Sequence, residues 1–337
     1  MECDIVNTGQ HYDFEMNTRF FSELSLPDPS TDLNVGAGAP YEQVAAIIGG
    51  LGRLFADGKP DVAIVPGDTN SALAAGIACA KAGVPVAHLE SGCRSGDFRM
   101  AEEVNRRLLD HMSQELLCPT PNCVANVRSE RVLADAVSHV GDTMYDSLRK
   151  LRRPIEVAGS KRRPGLARGE YAFMTLHRAE TVDNPNALGE VLAGVGSLGV
   201  PVAFSVHPRT RARMKEFGIK LGPGFESVEP LPYIQTLSLV SNSRFVVTDS
   251  GGLQKEAYWL RKPSLILRDR TEWGEIVAAG AAFLVGTSAV RMKRAYRKMM
   301  RVRRESFDGS DRIFGSGDAS SKVVKVVEKY SSRRMQP

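Results

Sequence analysis

The sequence predicts an α/β protein with two doubly wound domains, each built on a parallel sheet, facing each other across a cleft. Three observations lead to this fold class. The chain has 337 residues, about twice the length of a typical domain. Short apolar runs alternate with longer mixed segments roughly every 25–35 residues, which is typical of βαβ units. With 42% hydrophobic and 25% charged residues, the composition suits a sizeable core and excludes disordered and collagen-like classes.

Three predicted strands lie in the first half of the chain. The β-branched run Asp61–Pro66 is followed by a predicted alanine-rich helix, Ser71–Lys81. The next predicted strands are Val84–Leu89 and Glu115–Cys118. Their apolar residues are nearly continuous, which indicates strands that are covered on both faces, as in a parallel sheet.

The second half repeats this pattern after a basic, proline-containing stretch, Arg152–Arg168, that lacks a clear periodicity. We place the domain boundary just before this stretch, near Gly141 or Asp142, and expect an extended linker to follow. The predicted strands of the second half are Ala172–Leu176, Val200–Val206, Phe245–Val247, Ser264–Leu267 and Ala282–Gly286.

Composition also limits the environment and the partners of the protein. No apolar stretch approaches the about 20 residues of a membrane span, and the first residues do not resemble a signal peptide, so we expect a cytoplasmic protein without a membrane partner. The five cysteines form no CxxC pair, which favours reduced thiols. Net charge is +5, and eight of the fourteen residues in Arg291–Arg304 are basic. We interpret this run as the solvated face of a surface helix and expect no nucleic-acid partner.

Polar residues follow six of the predicted strands, at the sheet edge where open parallel α/β sheets bind ligands. Each of them alone also suits a turn or a helix cap. Their recurrence in six units predicts a ligand site along this edge. These residues are Asp68, Glu90, Arg94, His177, Arg178, Glu180, His207, Arg209, Asp249, Ser250, Gly251, Gly252, Arg268 and Glu272.

Two groups at this edge suggest particular chemistry. The turn Thr248–Gly252 has two glycines before a predicted helix, whose unpaired N–H groups favour a phosphate; a tight turn with an N-cap serine is the alternative. Glu256 lies one turn into that helix, and we expect it either to bind sugar hydroxyls or to be a charged surface residue. Asp68, Glu90 and the pair Glu102-Glu103 bring carboxylates together, and crowded carboxylates create an acid beside a base. The pair also suits the first turn of a helix.

The residues quoted so far belong to a longer ordered pattern that resembles the non-hydrolysing UDP-N-acetylglucosamine 2-epimerases. The matching segments run almost from end to end, in the family's order. They are Thr8–Asp13, Pro66–Thr69, His88–Arg94, Glu102–Arg106, Val140–Thr143, Thr175–Glu180, Val206–Thr210, Thr248–Gly252, Arg268–Glu272 and Phe314–Ala319.

The resemblance implies two Rossmann-like domains arranged as in glycosyltransferase-B enzymes. The N-terminal domain would comprise residues 1–141 plus about 324–337, and the UDP-binding domain residues 142–323. It also implies reversible epimerisation of UDP-N-acetylglucosamine (UDP-GlcNAc) at C2, giving UDP-N-acetylmannosamine (UDP-ManNAc) for surface polysaccharides. UDP leaves and adds back through a glycal, without a metal or other cofactor. The family often forms homodimers.

Residue roles follow from the same resemblance. Asp68, Glu90 and Glu102 match the carboxylates of proton transfer, and His177 matches the catalytic histidine beside the diphosphate. Gln10 and His11 match a segment that binds an allosteric UDP-GlcNAc in some members, although Asp13 replaces a glutamine there. The residues expected to bind substrate or UDP are Arg106, His207, Ser250, Gly251, Gly252, Glu256 and Arg268.

The chain also departs from the family. Members open with a first strand and a Gly-Thr-Arg-Pro-Glu loop that this sequence lacks. We therefore expect either that the start of the sequence was set too late or that part of the site has been lost.

The alternatives left open are a 2-epimerase for a related UDP-sugar such as a 2,3-diacetamido uronate, a hydrolysing relative that releases free sugar, a glycosyltransferase of the same fold, and a nucleotide-sugar-binding protein without turnover.

Overall fold

The computed structural model describes residues 2–9, 21–132, 137–159 and 166–331. The chain divides into two compact units. The first unit comprises Met1–Asp146 and Asp311–Pro337, and the second comprises Ser147–Ser310. None of the described helices is both long and apolar enough to span a membrane.

The first unit contains parallel strands in two sheets, of which the larger has the order β3-β4-β5-β6 and the smaller pairs β1 with β2. Its strands are β1 (Val6–Asn7), β2 (Thr31–Asp32), β3 (Ala63–Pro66), β4 (Val86–Leu89), β5 (Glu115–Cys118) and β6 (Val137–His139). Its helices are α1 (Pro40–Asp57), α2 (Asn70–Ala82), α3 (Ala101–Met112), α4 (Pro121–Ser129), the start of α5 (Thr143–Gly159), α13 (Ser310–Phe314) and α14 (Ala319–Ser331).

The second unit is a six-stranded parallel sheet with the order β9-β8-β7-β10-β11-β12. Its strands are β7 (Ala172–Leu176), β8 (Val202–Val206), β9 (Phe225–Val228), β10 (Phe245–Thr248), β11 (Ser264–Ile266) and β12 (Ala282–Leu284). Its helices are α6 (Ala179–Val182), α7 (Pro185–Gly196), α8 (Pro208–Glu216), α9 (Tyr233–Asn242), α10 (Gly251–Trp259), α11 (Gly274–Ala278) and α12 (Ala289–Met299), followed by a 3₁₀ turn at Arg304–Phe307.

This strand order reverses direction between β7 and β10. The chain first adds strands on one side of β7 and then returns to add β10, β11 and β12 on its other side. Such a reversal leaves a crevice outside the carboxyl ends of the two central strands, and doubly wound sheets bind ligands there. The loops after β7 and β10 are therefore the place to look for a site in the second unit.

Both faces of the second sheet are buried, which explains why its strands are apolar throughout. Met174 of β7 packs with Phe204 and Val247 in one core cluster, whereas Phe173 packs with Val246 in the cluster on the opposite face. Because successive strand residues point to opposite faces, a strand covered on both sides requires apolar residues at nearly every position.

The secondary-structure predictions are largely confirmed. The strands Glu115–Cys118 and Ala172–Leu176 have the predicted bounds, and the helix predicted at Ser71–Lys81 is α2. As predicted, each of the two units contains a parallel β-sheet. The basic run Arg291–Arg304 includes α12, which buries Met292, Ala295 and Met299 and exposes its basic residues, as predicted.

The expected extended linker is wrong over residues 152–159, which belong to α5. Leu148 and Ile155 are both buried, and their spacing of seven residues places them on one helix face. Burial of this face supports the helix even though Pro154 lacks a backbone N–H. The strands β6 and β9 were not predicted. Both lie at sheet edges and are only partly buried, so they contain no continuous apolar run.

The last described helix belongs to the first unit. Val323 and Val327 of α14 pack against Ala87, Leu117 and Val140 in one buried cluster. Asp146 accepts hydrogen bonds from the backbone N–H groups at the start of α14, including that of Ser320 at 2.7 Å. The chain therefore returns to the first sheet after completing the second unit.

Candidate active site

Asp68 lies directly after β3, in a turn whose position is fixed by several hydrogen bonds. Gly67 adopts a φ of +70°, a conformation that favours glycine, and Thr69 caps α2 by accepting the N–H of Ala72 at 3.3 Å. The Asn105 side chain donates to the backbone carbonyl of Asp68 at 2.9 Å, and Arg106 Nη2 donates to its carboxylate. Both α3 residues therefore hold Asp68 at the carboxyl end of the sheet.

The environment of Asp68 favours its protonated form. Burial is the main cause of a raised pKa, and the nearby charges of Glu90 and Glu102 raise it further. The ion pair with Arg106 acts in the opposite direction but does not cancel these effects. A carboxyl group whose pKa is raised beside other carboxylates is suited to proton transfer.

The adjacent residues Glu102 and Glu103 have different surroundings. Glu103 is fully buried and accepts hydrogen bonds from Ser95 N–H at 2.8 Å and from Arg107 Nε at 2.9 Å. Burial would raise its pKa, but these hydrogen bonds hold the pKa below its ordinary value. Glu102 is half-buried and raises the pKa of Asp68 through its charge. Glu103 therefore has a structural role, whereas Glu102 is part of the same carboxylate cluster as Asp68.

Glu90 follows β4 in a left-handed backbone conformation, with a φ of +66°. Residues other than glycine rarely adopt this conformation, which costs about 1–2 kcal/mol for an ordinary side chain. Strained residues of this kind cluster at functional sites. A Cβ atom built on Gly67 would lie 3.8 Å from Glu90 Oε2, so the strained residue directs its carboxylate toward the turn that carries Asp68.

In the second unit, Asp249 connects the two central strands at the point where the strand order reverses. Asp249 follows β10 and is fully buried. Its Oδ2 accepts the backbone N–H groups of His177 at 2.8 Å and Arg178 at 2.7 Å, both of which follow β7. Thr175 and Thr248 join the same strand ends through their hydroxyl groups, 2.7 Å apart. These hydrogen bonds therefore fix the ends of β7 and β10 at the base of the crevice.

The same carboxylate orients the His177 ring. Nδ1 of His177 lies 2.8 Å from Oδ1 of Asp249, and the His177 side chain is 39% exposed. Burial alone would raise the pKa of Asp249, but the His177 ring and the two backbone N–H groups hold it below its ordinary value. Because Nδ1 lies within ion-pair distance of Asp249 Oδ1, an ionised Asp249 favours a proton on Nδ1 and leaves Nε2 as the ring nitrogen for a ligand.

The turn after β10 supplies the start of α10. Ser250 caps this helix, with Oγ accepting the N–H of Leu253 at 3.4 Å, and Gly251 and Gly252 are the first residues after the cap. The first N–H groups of a helix carry a partial positive charge and suit an anion. Glu256, further along α10, is buried and accepts a hydrogen bond from Tyr233 Oη at 2.6 Å.

Two further basic residues flank the crevice loops. The buried Arg268, after β11, pairs with Glu272 through two hydrogen bonds of 2.8 and 2.9 Å. Burial opposes the charge of Arg268, but Glu272 raises its pKa above the ordinary value. His207, after β8, is exposed and caps α8, with its ring centroid 5.7 Å from that of His177. Partial desolvation and the charge of His177 lower the pKa of His207.

The structure groups the predicted site residues by unit. In the first unit, Asp68, Glu90, Glu102 and Arg106 lie together, and Arg106 contacts carboxylates of the protein itself. The expected residues of the second unit, His177, His207, Ser250, Gly251, Gly252, Glu256 and Arg268, follow β7, β8, β10 and β11. Gln10 and His11 lie outside the described residues.

Sequence reasoning did not assign roles to Asp249 and Tyr233. Asp249 was noted among the polar residues at strand ends, and its place directly after a buried strand was the available signal. Its link to His177 depends on β7 and β10 being neighbours, which the order of elements along the chain does not reveal. No sequence signal pointed to the contact between Tyr233 and Glu256.

Comparison with known proteins accounts for this combination of fold and residues. The family model for UDP-N-acetylglucosamine 2-epimerases matches residues 1–328. A UDP-N-acetylglucosamine 2-epimerase homolog of Methanococcus maripaludis is 36% identical over 96% of this chain and 91% of its own length. The UDP-2,3-diacetamido-2,3-dideoxy-D-glucuronate 2-epimerase of Pseudomonas aeruginosa is 35% identical over 96% of this chain and 91% of its own length.

Solved structures agree with the sequence comparison. The Methanocaldococcus jannaschii UDP-GlcNAc 2-epimerase, in complex with UDP-GlcNAc and UDP, superposes with a TM-score of 0.88 at 34% identity. The match covers 97% of this chain and 91% of that one. The resemblance inferred from short motifs thus extends over the full fold, and the chain belongs to the UDP-N-acetylglucosamine 2-epimerase family.

Proposed function

We propose that the protein catalyses the reversible epimerisation of UDP-GlcNAc and UDP-ManNAc at C2 of the sugar. A base removes the C2 proton while the C1–O bond breaks, so that UDP leaves with the bonding electrons and a C1=C2 double bond forms. A proton then reaches the opposite face of C2, and a UDP oxygen attacks C1. The observation that carries this proposal is the carboxylate cluster around Asp68, because the reaction needs a proton acceptor and a proton donor at one carbon.

In this scheme the residues that transfer the C2 proton belong to the first unit. Asp68, Glu90 and Glu102 exchange the C2 proton and stabilise the positive charge that develops on the sugar ring. Support comes from their mutual electrostatic influence and from the raised pKa of Asp68. Arg106 limits that rise through its ion pair with Asp68, so its proposed part in substrate binding is to keep this carboxylate in place.

The second unit binds UDP and assists its departure. Ser250, Gly251 and Gly252 present helix N–H groups to the diphosphate, while Glu256 accepts a ribose hydroxyl. His177 directs Nε2 to the departing phosphate, with the Nδ1 proton held by Asp249. Arg268 and His207 add positive charge and hydrogen-bond donors around the same ligand.

The direct test is to incubate the protein with UDP-GlcNAc in D2O and to follow the anomeric and C2 protons by NMR. The proposal predicts growth of a UDP-ManNAc signal with deuterium at C2. Release of free N-acetylmannosamine would identify a hydrolysing enzyme instead. Transfer of the sugar to an added acceptor without exchange at C2 would identify a glycosyltransferase, and UDP binding without turnover a binding protein.

A second candidate substrate is UDP-2,3-diacetamido-2,3-dideoxy-D-glucuronate. It is supported by the Pseudomonas aeruginosa relative, whose identity to this chain is 35%, close to the 36% of the Methanococcus maripaludis relative. Both reactions use the same proton chemistry, so the carboxylate cluster does not separate them. The ratio of kcat/KM for the two sugars decides between them.

Further features of the proposal derive from the family resemblance. We propose a cytoplasmic homodimer that supplies precursors for surface polysaccharides, with catalytic carboxylates in residues 1–141 plus about 324–337 and UDP binding in residues 142–323. Gln10 and His11 are proposed to bind an activating second UDP-sugar. Light scattering tests whether the protein is a dimer. A lag in turnover that disappears when UDP-GlcNAc is added would support the proposed activation.

A further inference from the structure

A buried histidine links the two loops that carry Asp68 and Glu90. His88 lies on β4 and is fully inaccessible to solvent. Its Nε2 is 2.9 Å from the backbone carbonyl of Gly67, the residue before Asp68. Its Nδ1 is 2.6 Å from Oδ1 of Asp110, a fully buried residue of α3. His88 therefore connects the Asp68 turn to a buried carboxylate.

Asp110 in turn holds the loop that follows Glu90. Its Oδ2 accepts the backbone N–H of Gly92 at 3.1 Å and Nη2 of Arg94 at 2.6 Å. Gly92 tolerates no side chain, because an added Cβ would lie 2.2 Å from the Cys123 carbonyl oxygen. The loop is thus pressed between α4 and the Asp110 carboxylate.

The network continues from Arg94 and returns to Asp68. Arg94 makes hydrogen bonds of 2.9 and 2.7 Å to Glu130, which also accepts Nη1 of Arg107 at 2.6 Å. Arg107 Nε donates to Glu103 at 2.9 Å, and Glu103 accepts Arg106 Nη1 at 3.2 Å. Since Arg106 also binds the Asp68 carboxylate, the network holds the Asp68 turn from its backbone and from its side chain.

The hydrogen-bonding partners of His88 define its proton requirement. A backbone carbonyl can only accept, so the Gly67 contact needs a proton on Nε2. The carboxylate on the other side needs a second proton between Nδ1 and Asp110. Burial would raise the pKa of Asp110, but His88 and Arg94 hold it below its ordinary value. The ionised carboxylate of Asp110 therefore accepts hydrogen bonds from both the His88 ring and the Arg94 guanidinium group.

We propose that His88 and Asp110 are positioning residues, which fix the Asp68 and Glu90 carboxylates relative to each other by anchoring the backbone on both loops. This inference rests on the proposed function, in which proton removal and proton return at C2 need two carboxylates held on the sugar at once. A shift of one loop by about 1 Å is enough to slow such a reaction on the order of 100-fold. His88 itself does not touch the substrate.

The test compares the variants His88→Gln and Asp110→Asn in the full chain. Neither new side chain can make all of the original hydrogen bonds. We expect kcat to fall on the order of 100-fold with KM nearly unchanged. We also expect more free UDP and glycal per epimer formed, because the eliminated intermediate escapes when the second carboxylate is misplaced. A smaller folded fraction would lower kcat without changing this ratio, so an unchanged ratio overturns the proposal.

A matched control removes a different buried hydrogen bond of the first unit. Tyr330 of α14 donates from Oη to Glu115 of β5 at 2.6 Å. The variant Tyr330→Phe is expected to lower the unfolding temperature while the ratio of glycal to epimer stays at the wild-type value. A rise of this ratio in the control would mean that any loosening of the unit causes the leak, and would overturn the specific role of His88.

Two additions keep the test decisive. If Asp110→Asn does not fold, Glu130→Gln removes one charge from the outer part of the network and is expected to raise the glycal ratio less. In the wild-type protein, NMR should show two exchange-protected ring N–H protons from His88; their absence overturns the arrangement without any activity measurement. If the wild type turns over no UDP-sugar while both protons are present, the proposed function fails and the buried pair stands.

Discussion

His177 Nδ1 lies 2.8 Å from Oδ1 of Asp249, so a fully buried carboxylate orients a partly exposed imidazole. The two residues come from loops after neighbouring strands, β7 and β10, at the reversal of strand order. Asp249 also accepts backbone N–H groups from both His177 and Arg178, which ties the ring position to the backbone of the first loop. Asp249 therefore fixes the position of the His177 ring relative to the ends of β7 and β10.

Asp249→Asn is expected to reduce kcat on the order of 100-fold or more, because an amide does not hold the proton on Nδ1 in the same way. The dissociation constant for UDP should change only a few-fold. Steady-state kinetics and calorimetry with UDP measure both effects. Asp308→Asn is the matched control, since the exposed Asp308 pairs with the exposed Arg261 at 3.1 Å. Wild-type kcat in Asp249→Asn would contradict the proposed role of His177.

Asp249 also predicts a dependence of stability on pH. Its pKa in the folded protein lies below the ordinary value of 3.8, so its ionisation stabilises the fold above pH 3.8, and this stabilisation is lost as the pH falls. The difference in unfolding free energy between wild type and Asp249→Asn should therefore shrink as the pH is lowered below about 4. Urea unfolding at several pH values measures it, and a constant difference would contradict the ionised state.

Asp68→Asn is expected to cut turnover on the order of 100-fold or more and to slow deuterium entry at C2, because the amide cannot exchange a proton. Asp97→Asn is a suitable control, since Asp97 pairs with the exposed Arg99 at 2.6 Å. Circular dichroism should show the same helix content in both variants. Exchange at the wild-type rate in Asp68→Asn would remove this residue from the site.

The pH dependence of activity should respond to Arg106. Burial raises the pKa of Asp68 above 3.8, and Arg106 limits the rise. If ionised Asp68 is the base, kcat/KM decreases as the pH falls through this raised pKa. Arg106→Met removes the opposing charge, so the acidic limb should move to higher pH. A shift to lower pH, or none, in the pH–rate profile would show that another group controls this limb.

Ser250→Ala should weaken UDP binding more than it alters kcat. The substitution removes the cap hydrogen bond to Leu253 N–H and a hydroxyl beside the first turn of α10, with a cost in stability of about 1 kcal/mol. Calorimetry with UDP gives the binding change and thermal unfolding gives the cap contribution. Ser288→Ala, which removes the cap of α12, controls for the loss of a helix cap alone. Equal UDP affinity in wild type and Ser250→Ala would contradict the phosphate cradle.

Much of the fold was predictable because it depends on local patterns. The continuous apolar runs in Ala172–Leu176 and Glu115–Cys118 indicated buried parallel strands, and their bounds are confirmed. The edge strand Phe225–Val228 was missed because Glu226 and Ser227 face solvent. The helix Thr143–Gly159 was not predicted, and its second half was expected to be a linker, since Pro154 and the basic residues obscured the face that carries Ile155.

The residues of the candidate site could be proposed from the sequence, but their contacts could not. Strand ends identified Asp68, Glu90 and His177, since parallel strands place their carboxyl ends at one edge. The contacts of Asp249 with His177 and of His88 with Gly67 depend on which strands are neighbours and in which register. Residue patterns alone offered Glu102 and Glu103 as a pair, and only the family resemblance assigned proton transfer to Glu102. The structure gives the two side chains different surroundings, because adjacent helix residues face in different directions.

The NMR experiment with UDP-GlcNAc in D2O tests the central claim most directly. The proposed mechanism predicts that UDP-ManNAc accumulates and that its C2 position carries deuterium, because every epimerised molecule has lost its original C2 proton. Epimer that retains the C2 proton would contradict proton exchange with the carboxylate cluster. A sample with neither epimer nor exchange, under conditions where UDP binds, would contradict the assignment of this sugar as the substrate.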